Sequence, residues 1–245
     1  MVMHEWRLAR LAAQRRSEDF CVMIKHWLIA RQALSFGALL ASSLLWCGCE
    51  DNDKKTSPSG TERPGRYHIT VYYTPVEIYH SGPVLPVWGV TDVSGESGRE
   101  LLGSYPESFI AAVQMEGSGR ITSGAYAGKY LNGSFGGGFW LSDFAPDAYG
   151  EPLQPFKTAA ADGDVLERET LFKLKKPLLE SGGIEISATA AKKLLSAIWD
   201  VQDHFETGFG GDLRIDLYIG EEDRDDFTIK NPYYVALENV IIETF

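Results

Sequence analysis

From residue 67 to the C terminus, apolar and polar positions alternate in short runs, and several of these runs have the period of two that marks a strand. The clearest lies near the end: Leu213, Ile215, Leu217 and Ile219 fall on one face, Arg214, Asp216 and Tyr218 on the other. Residues 67–73 alternate more weakly but are rich in β-branched and aromatic side chains. Residues 234–242 read as one or two further strands, and 108–115 as a stretch that opens as a helix after Pro106 and ends as a strand. One segment has a helical period: 188–199, where Ala190, Leu194, Leu195 and Ile198 form an apolar stripe. Glycine-rich turns separate the rest. So many short strands predict a mainly β fold, a closed barrel with a second, small β subdomain in the middle of the chain.

The first quarter has a different texture. Arg7, Arg10, Arg15, Arg16, Lys25 and Arg31 precede an uncharged run over 33–46. A basic stretch followed by an apolar one is the pattern of a signal peptide, and this run is shorter than the roughly 20 residues that a stable spanning helix needs. Met23 is the alternative start, because it would begin a signal peptide of ordinary size. The apolar run ends in Cys47-Gly48-Cys49-Glu50, which resembles a bacterial lipoprotein cleavage box with Cys49 as the lipidated residue. Residues 1–48 are thus expected to be a signal peptide. Residues 49–64 are expected to be a lipidated cysteine and flexible tether, too polar to offset their chain entropy by burial. Residues 65–245 are expected to form the folded, catalytic region. The expected address is the periplasmic face of the outer membrane; a cleaved, soluble periplasmic protein is the alternative.

Charge and cysteine content narrow the chemistry. From Cys49 onward 17 Lys and Arg face 31 Asp and Glu, which argues against a nucleic-acid footprint. All three cysteines (Cys21, Cys47 and Cys49) lie in the address, so the folded region has no disulfide, thiolate metal site or cysteine nucleophile. His68, His80 and His204 lack ligand spacing, no metal is expected, and no phosphate-binding loop or nucleophile elbow is present. Gly136 to Gly138 read as a turn or bulge. Carboxylates remain as the chemical resource. By spacing alone Asp216 reads as a solvent-facing residue of an alternating strand. Were it buried, it would need hydrogen bonds or a raised pKa, and a carboxyl that keeps its proton near neutrality is what a general acid requires.

Four segments, in order, resemble one family. Thr70-Val71-Tyr72-Tyr73-Thr74-Pro75 is similar to the T-G-Y-Y-x-P opening of the membrane-bound lytic transglycosylase A (MltA) family. Gln114-Met115-Glu116-Gly117-Ser118-Gly119-Arg120 with Tyr126-Ala127-Gly128 is similar to its Q-G-S-G-R block and following Y-A-G. Gly150-Glu151-Pro152-Leu153-Gln154-Pro155 through Ala161-Asp162 resembles its G-x-P-L-T-P-x-R-S-L-A-V-D. Arg214-Ile215-Asp216-Leu217-Tyr218-Ile219-Gly220 resembles the last signature of the 3D domain, named for three aspartates.

The resemblance implies a six-stranded double-psi β-barrel with an inserted or adjoining small β subdomain. It also implies an outer-membrane lipoprotein that cleaves the MurNAc–GlcNAc β-1,4 bond of peptidoglycan to a 1,6-anhydro end, in cell-wall turnover, without a cofactor. Asp216 matches the family's catalytic aspartate and Asp162 the first of the three. Glu206, in Glu206-Thr207-Gly208, stands where the middle one opens D-T-G-G, and Asp203 competes for that slot. Tyr72, Tyr73, Glu116, Ser118, Arg120 and Arg214 are the implied substrate contacts, with Glu116 in place of a family Gln. The expected partners are glycan strands and the membrane lipid, with protein partners undetermined. A non-catalytic peptidoglycan-binding or envelope-assembly lipoprotein on the same barrel is the competing reading. An open groove beside Asp216 with a second carboxyl favours the enzyme; Asp216 neutralised by Arg214 favours binding.

Overall fold

The structure, a computed structural model, describes residues 60–91, 99–133, 138–205 and 213–245. The signal peptide, Cys49, Glu206 with its glycine-rich run, and Gly136 and Gly137 lie outside them. The expected β character holds, with 42% strand against 19% helix.

The chain enters with β1 (Thr61–Glu62) and β2 (Tyr67–Thr74). It then leaves to form a separate five-stranded sheet from β3 (Val84–Val90), β4 (Glu100–Pro106), β5 (Ser118–Arg120), β6 (Tyr130–Gly133) and β7 (Phe139–Ser142), with helix α1 (Glu107–Glu116) packed on it. It returns through β8 (Thr158–Ala161), β9 (Leu171–Leu174), β10 (Leu179–Glu180), β11 (Ile184–Glu185), α2 (Ala188–Ser196), β12 (Trp199–Asp203), β13 (Arg214–Glu221), the short α3 (Phe227–Lys230), β14 (Leu237–Val240) and β15 (Ile242–Thr244).

The first sheet runs β1-β15-β9-β12-β8-β13-β2-β14-β10-β11 and curls into a half-barrel; the second runs β4-β3-β7-β6-β5. The smaller sheet is therefore an insertion between β2 and β8. Strands β2 and β13 are parallel neighbours, as are β8 and β12, whereas β13 and β8 are antiparallel. These four strands span the centre of the large sheet and come from three distant parts of the sequence.

Each sheet has its own core. Ile69, Phe172, Trp199, Ile215, Leu217 and Leu237 are buried under the large sheet. Leu102, Phe109, Val113, Ile121 and Leu131 are buried under the small one. The alternation read in 213–219 is real for Ile215 and Leu217, which are fully buried.

Three local expectations change. The segment after Pro106 is helical to its end, because Phe109 and Val113 on one helical face fill the small core. Gly117, at φ +91°, then ends α1 by giving its N–H to the Val113 carbonyl (2.9 Å). The second helix stops at Ser196 rather than continuing to 199. Ile198 is left in solvent, and Trp199 turns into the core as the first residue of β12, its indole N–H on the Leu194 carbonyl at 3.3 Å. Finally, the end of the expected tether joins the sheet: Thr61 and Glu62 pair with Thr244 and Glu243. Their side chains are exposed, so this strand rests on backbone pairing at an open edge and needs no apolar residues.

Candidate active site

The β2–β13 pair sets the site. Register places Thr70 opposite Asp216, Tyr72 opposite Tyr218 and His68 opposite Arg214. One face of the pair sends Ile69, Ile215 and Leu217 into the core. The other carries Thr70, Tyr72, Arg214, Asp216 and Tyr218, as the period of two requires. Sequence reasoning gave that face to solvent. Instead Asp216 and Tyr218 are buried, as befits a central strand with parallel pairing.

Asp216 is 8% exposed and well satisfied. The Thr70 hydroxyl donates to Oδ1. Arg214 grips both oxygens, Nε to Oδ1 at 3.0 Å and Nη2 to Oδ2 at 2.9 Å. Burial pushes the Asp216 pKa up; the Arg214 hydrogen bonds and charge pull it back, and burial is the larger influence. The Arg214 guanidinium in turn lies 5.3 Å from the centre of the Phe205 ring.

A second, half-buried carboxyl shares this face. Ala160 of β8 pairs with Asp216 on one side and Asp203 of β12 on the other. Two strand spacings therefore separate the aspartates, about 10 Å between backbones. Asp203 accepts the Tyr72 hydroxyl at 3.1 Å and the backbone N–H groups of Ala148 and His204, both at 2.9 Å. Burial raises its pKa against those three donors. The Tyr72 ring lies 5.2 Å from that of Tyr218, whose hydroxyl shares a 2.7 Å hydrogen bond with Thr74. Tyr72 itself is held neutral by burial and by the neighbouring Asp203.

Glu116 arrives from the inserted sheet. It is the last residue of α1, and its Oε2 accepts the Tyr73 N–H of β2 at 3.2 Å. Burial, with a smaller contribution from the Asp216 charge, pushes its pKa up to about 7. Its position at a helix C terminus acts in the same direction, since carbonyl dipoles there disfavour negative charge.

The other residues singled out from the sequence divide clearly. Asp162 follows β8 directly beyond the Ala161–Ile215 pair, half-buried, with its pKa raised by burial and by Asp164. Tyr73 points to the opposite face, packed on Phe227 at 4.9 Å and Tyr234 at 5.9 Å. Ser118 is buried in the small sheet and gives its hydroxyl to Asn132 at 2.6 Å. Arg120 pairs with Glu221 at the far end of β13 (2.9 Å), where the Tyr130 hydroxyl also donates. Glu206 lies outside the described residues.

Thr70 and Asp203 gained no site role from the sequence, apart from Asp203 as a competitor for the middle slot. Period-two placement beside Tyr72 marks Thr70, but nothing local pairs Asp203 with a tyrosine 131 residues away.

Two more buried carboxylates tie the inserted sheet to the barrel strands. Glu77 accepts the N–H groups of Thr122 (2.7 Å) and Ser123 (2.9 Å) and the Ser123 hydroxyl (2.6 Å). Glu222 accepts the Val76 N–H at 3.0 Å and meets His80 at 2.9 Å. The half-barrel and the insertion thus meet through fixed hydrogen bonds, with Glu116 and Asp216 on the two sides. Clefts of about 350 and 290 Å³ lie on the insertion; the larger is lined by residues such as Lys129 and Asp143, and neither includes the carboxyls of the β2–β13 face.

The chain matches no protein-family model and no curated protein. The solved structures it is similar to include lytic transglycosylases. E. coli MltA with bound chitohexaose is 15% identical over 72% of this chain and 70% of that one, at a TM-score of 0.44. A membrane-bound lytic murein transglycosylase from Agrobacterium tumefaciens is 11% identical over 75% of each chain, at 0.46. MltA from Neisseria gonorrhoeae is 12% identical over 73% of this chain and 72% of that one, at 0.46.

Proposed function

We propose that this protein is a lytic transglycosylase of peptidoglycan, cutting the MurNAc–GlcNAc β-1,4 bond, with Asp216 as its central carboxyl. The observation that carries the reading is a buried, hydrogen-bonded carboxyl at the position matching the family's catalytic aspartate. In the reaction the C6 hydroxyl of the MurNAc unit attacks its own anomeric carbon. The O6–C1 bond forms as the bond from C1 to the glycosidic oxygen breaks. One proton leaves O6 and one reaches the departing oxygen, so no water is consumed and a 1,6-anhydro end results. A carboxylate fixed by Arg214 and Thr70 is oriented to accept the first of these protons. Asp203 holds Tyr72 in place along the same face.

The decisive experiment is digestion of purified sacculi with the purified protein, followed by mass spectrometry. Anhydro-muropeptides are the expected product. The bidentate Arg214–Asp216 pair favours a second reading, a glycan-binding lipoprotein without catalysis, because it occupies both carboxylate oxygens. Sacculi that are bound and never cut would establish that reading in place of the first.

The expected setting is the periplasmic face of the outer membrane, with the mature chain anchored through Cys49. Among the described residues no helix is long and apolar enough to cross a membrane. Cys49→Ala is expected to abolish incorporation of labelled lipid and release the protein from membranes. Labelling that persists in the variant would move the anchor elsewhere.

A further inference from the structure

We propose that Ser108, His80 and Glu222 form a second catalytic site, a serine esterase for short acyl esters. The proposal goes beyond the glycan-cleaving reading and does not depend on it.

The three side chains come from distant segments and meet where the insertion joins the large sheet. Glu222 directly follows β13, and lies roughly 20 Å along the strand direction from Asp216. His80 lies in the crossover from β2 to the insertion, and Ser108 is in the first turn of α1. His80 Nε2 is 2.9 Å from Glu222 Oε2, and His80 Nδ1 is 3.3 Å from Ser108 Oγ. Exposure is graded along this chain of contacts. The Glu222 side chain is 5% exposed and that of His80 11%, whereas Ser108 faces solvent. An open nucleophile, a base behind it and a buried acid that orients the base make up a hydrolytic triad, in any sequence order.

The hydrogen bonds fix the proton. Glu222 Oε2 also accepts the Val76 N–H at 3.0 Å, and a carboxylate only accepts. The ring proton therefore sits on Nε2, and the Nδ1 lone pair faces the Ser108 hydroxyl. Phe109 packs edge-on against the ring, centroids 5.6 Å apart. The Ser81 N–H donates to Oγ at 2.9 Å, and the hydroxyl proton has two acceptors: the Ser81 carbonyl at 2.7 Å and Nδ1. Rotation of the hydroxyl moves the proton from one to the other without moving a heavy atom. Among the described residues, the Phe109 and Ile110 N–H groups of the same helical turn have neither a side-chain cap nor a backbone acceptor outside the helix. They are the donors for an oxyanion formed at Ser108.

In the reaction Oγ bonds to the ester carbonyl carbon as its proton passes to Nδ1, and the carbonyl oxygen takes up the negative charge. The alcohol then leaves with the proton from Nδ1. Water attacks the acyl-serine by the same steps, and Oγ recovers its proton as the acid departs. Ser81, Gly82 and Pro83 beside the hydroxyl are exposed, which suits a short acyl group such as acetyl. Glu107 and the acidic balance of the folded region favour an uncharged one.

A fluorophosphonate followed by peptide mass mapping tests the site in the unmodified protein, and the phosphonyl group is expected on Ser108. p-Nitrophenyl acetate should be turned over. Ser108→Ala should reduce that rate to the uncatalysed one, and His80→Gln should lower it about 10²–10⁴-fold. Glu222→Gln keeps an oxygen for the Val76 N–H and should lower kcat with KM unchanged, a split that loosened packing does not give. Sacculus digestion by Ser108→Ala should match the parent's, so failure of either reading leaves the other standing. An unlabelled Ser108 in the parent, or ester hydrolysis that survives Ser108→Ala, overturns the proposal and leaves the three residues as a tie between insertion and barrel.

Discussion

Asp216→Asn is expected to leave a folded protein that binds glycan strands and cuts them about 10²–10⁴-fold more slowly, the range by which general acid–base catalysis contributes. The amide keeps the shape of the carboxylate and can still accept one bond from Arg214. It cannot take a proton from the C6 hydroxyl. The cost to stability should be about 1–3 kcal/mol, because one amide N–H is turned towards a guanidinium in a buried site. Measurement therefore needs two readouts on one preparation, sacculus binding and anhydro-muropeptide yield. Loss of both would indicate damage to the fold. Loss of product alone is the expected result, and an unchanged yield would remove Asp216 from the chemistry. Asp162→Asn and Glu206→Gln should be milder, as supporting positions.

The contrast between Asp216 and its neighbours shows what a sequence can and cannot reveal. Alternation in 213–219 placed Arg214, Asp216 and Tyr218 on one face of a strand, and the structure keeps them there. Alternation cannot say what lies on top of a face. The polar side of β13 is covered because β2 runs parallel to it and β8 lies on its other edge, a neighbourhood created by segments up to 146 residues apart. The insertion was legible as a middle β subdomain, since its strands are local. Its helix was only half legible: Ser108 to Met115 mixes apolar residues at spacings that suit either period, and packing of Phe109 and Val113 on the small sheet decides the matter. Tyr72 and Tyr73 were inseparable as a motif, yet strand pleating sends one to Asp203 and the other to Phe227. Glu116 was identified through resemblance as a substrate contact; its proton affinity comes from burial against β2, which no spacing encodes.

That burial makes a second large effect, independent of catalysis. The Glu116 pKa rises on folding from its ordinary 4.5 to about 7. A carboxyl whose pKa is raised in the folded state binds its proton more tightly there than in the unfolded chain. Its contribution is therefore complete below pH 4.5 and is lost as pH rises through about 7, the reverse of an ion-paired aspartate. Each pKa unit corresponds to about 1.4 kcal/mol, so ionising Glu116 should cost the fold about 3 kcal/mol between these limits. Glu116→Gln removes the titration and keeps the Tyr73 hydrogen bond. Denaturant unfolding of both proteins at pH 4.5 and pH 8 isolates the effect, because titrating groups not coupled to Glu116 cancel in the difference. At pH 4.5 the two proteins should be of similar stability. At pH 8 the variant should be the more stable by about 3 kcal/mol. A difference between the proteins that does not change with pH would mean that Glu116 ionises as freely in the fold as in the unfolded chain.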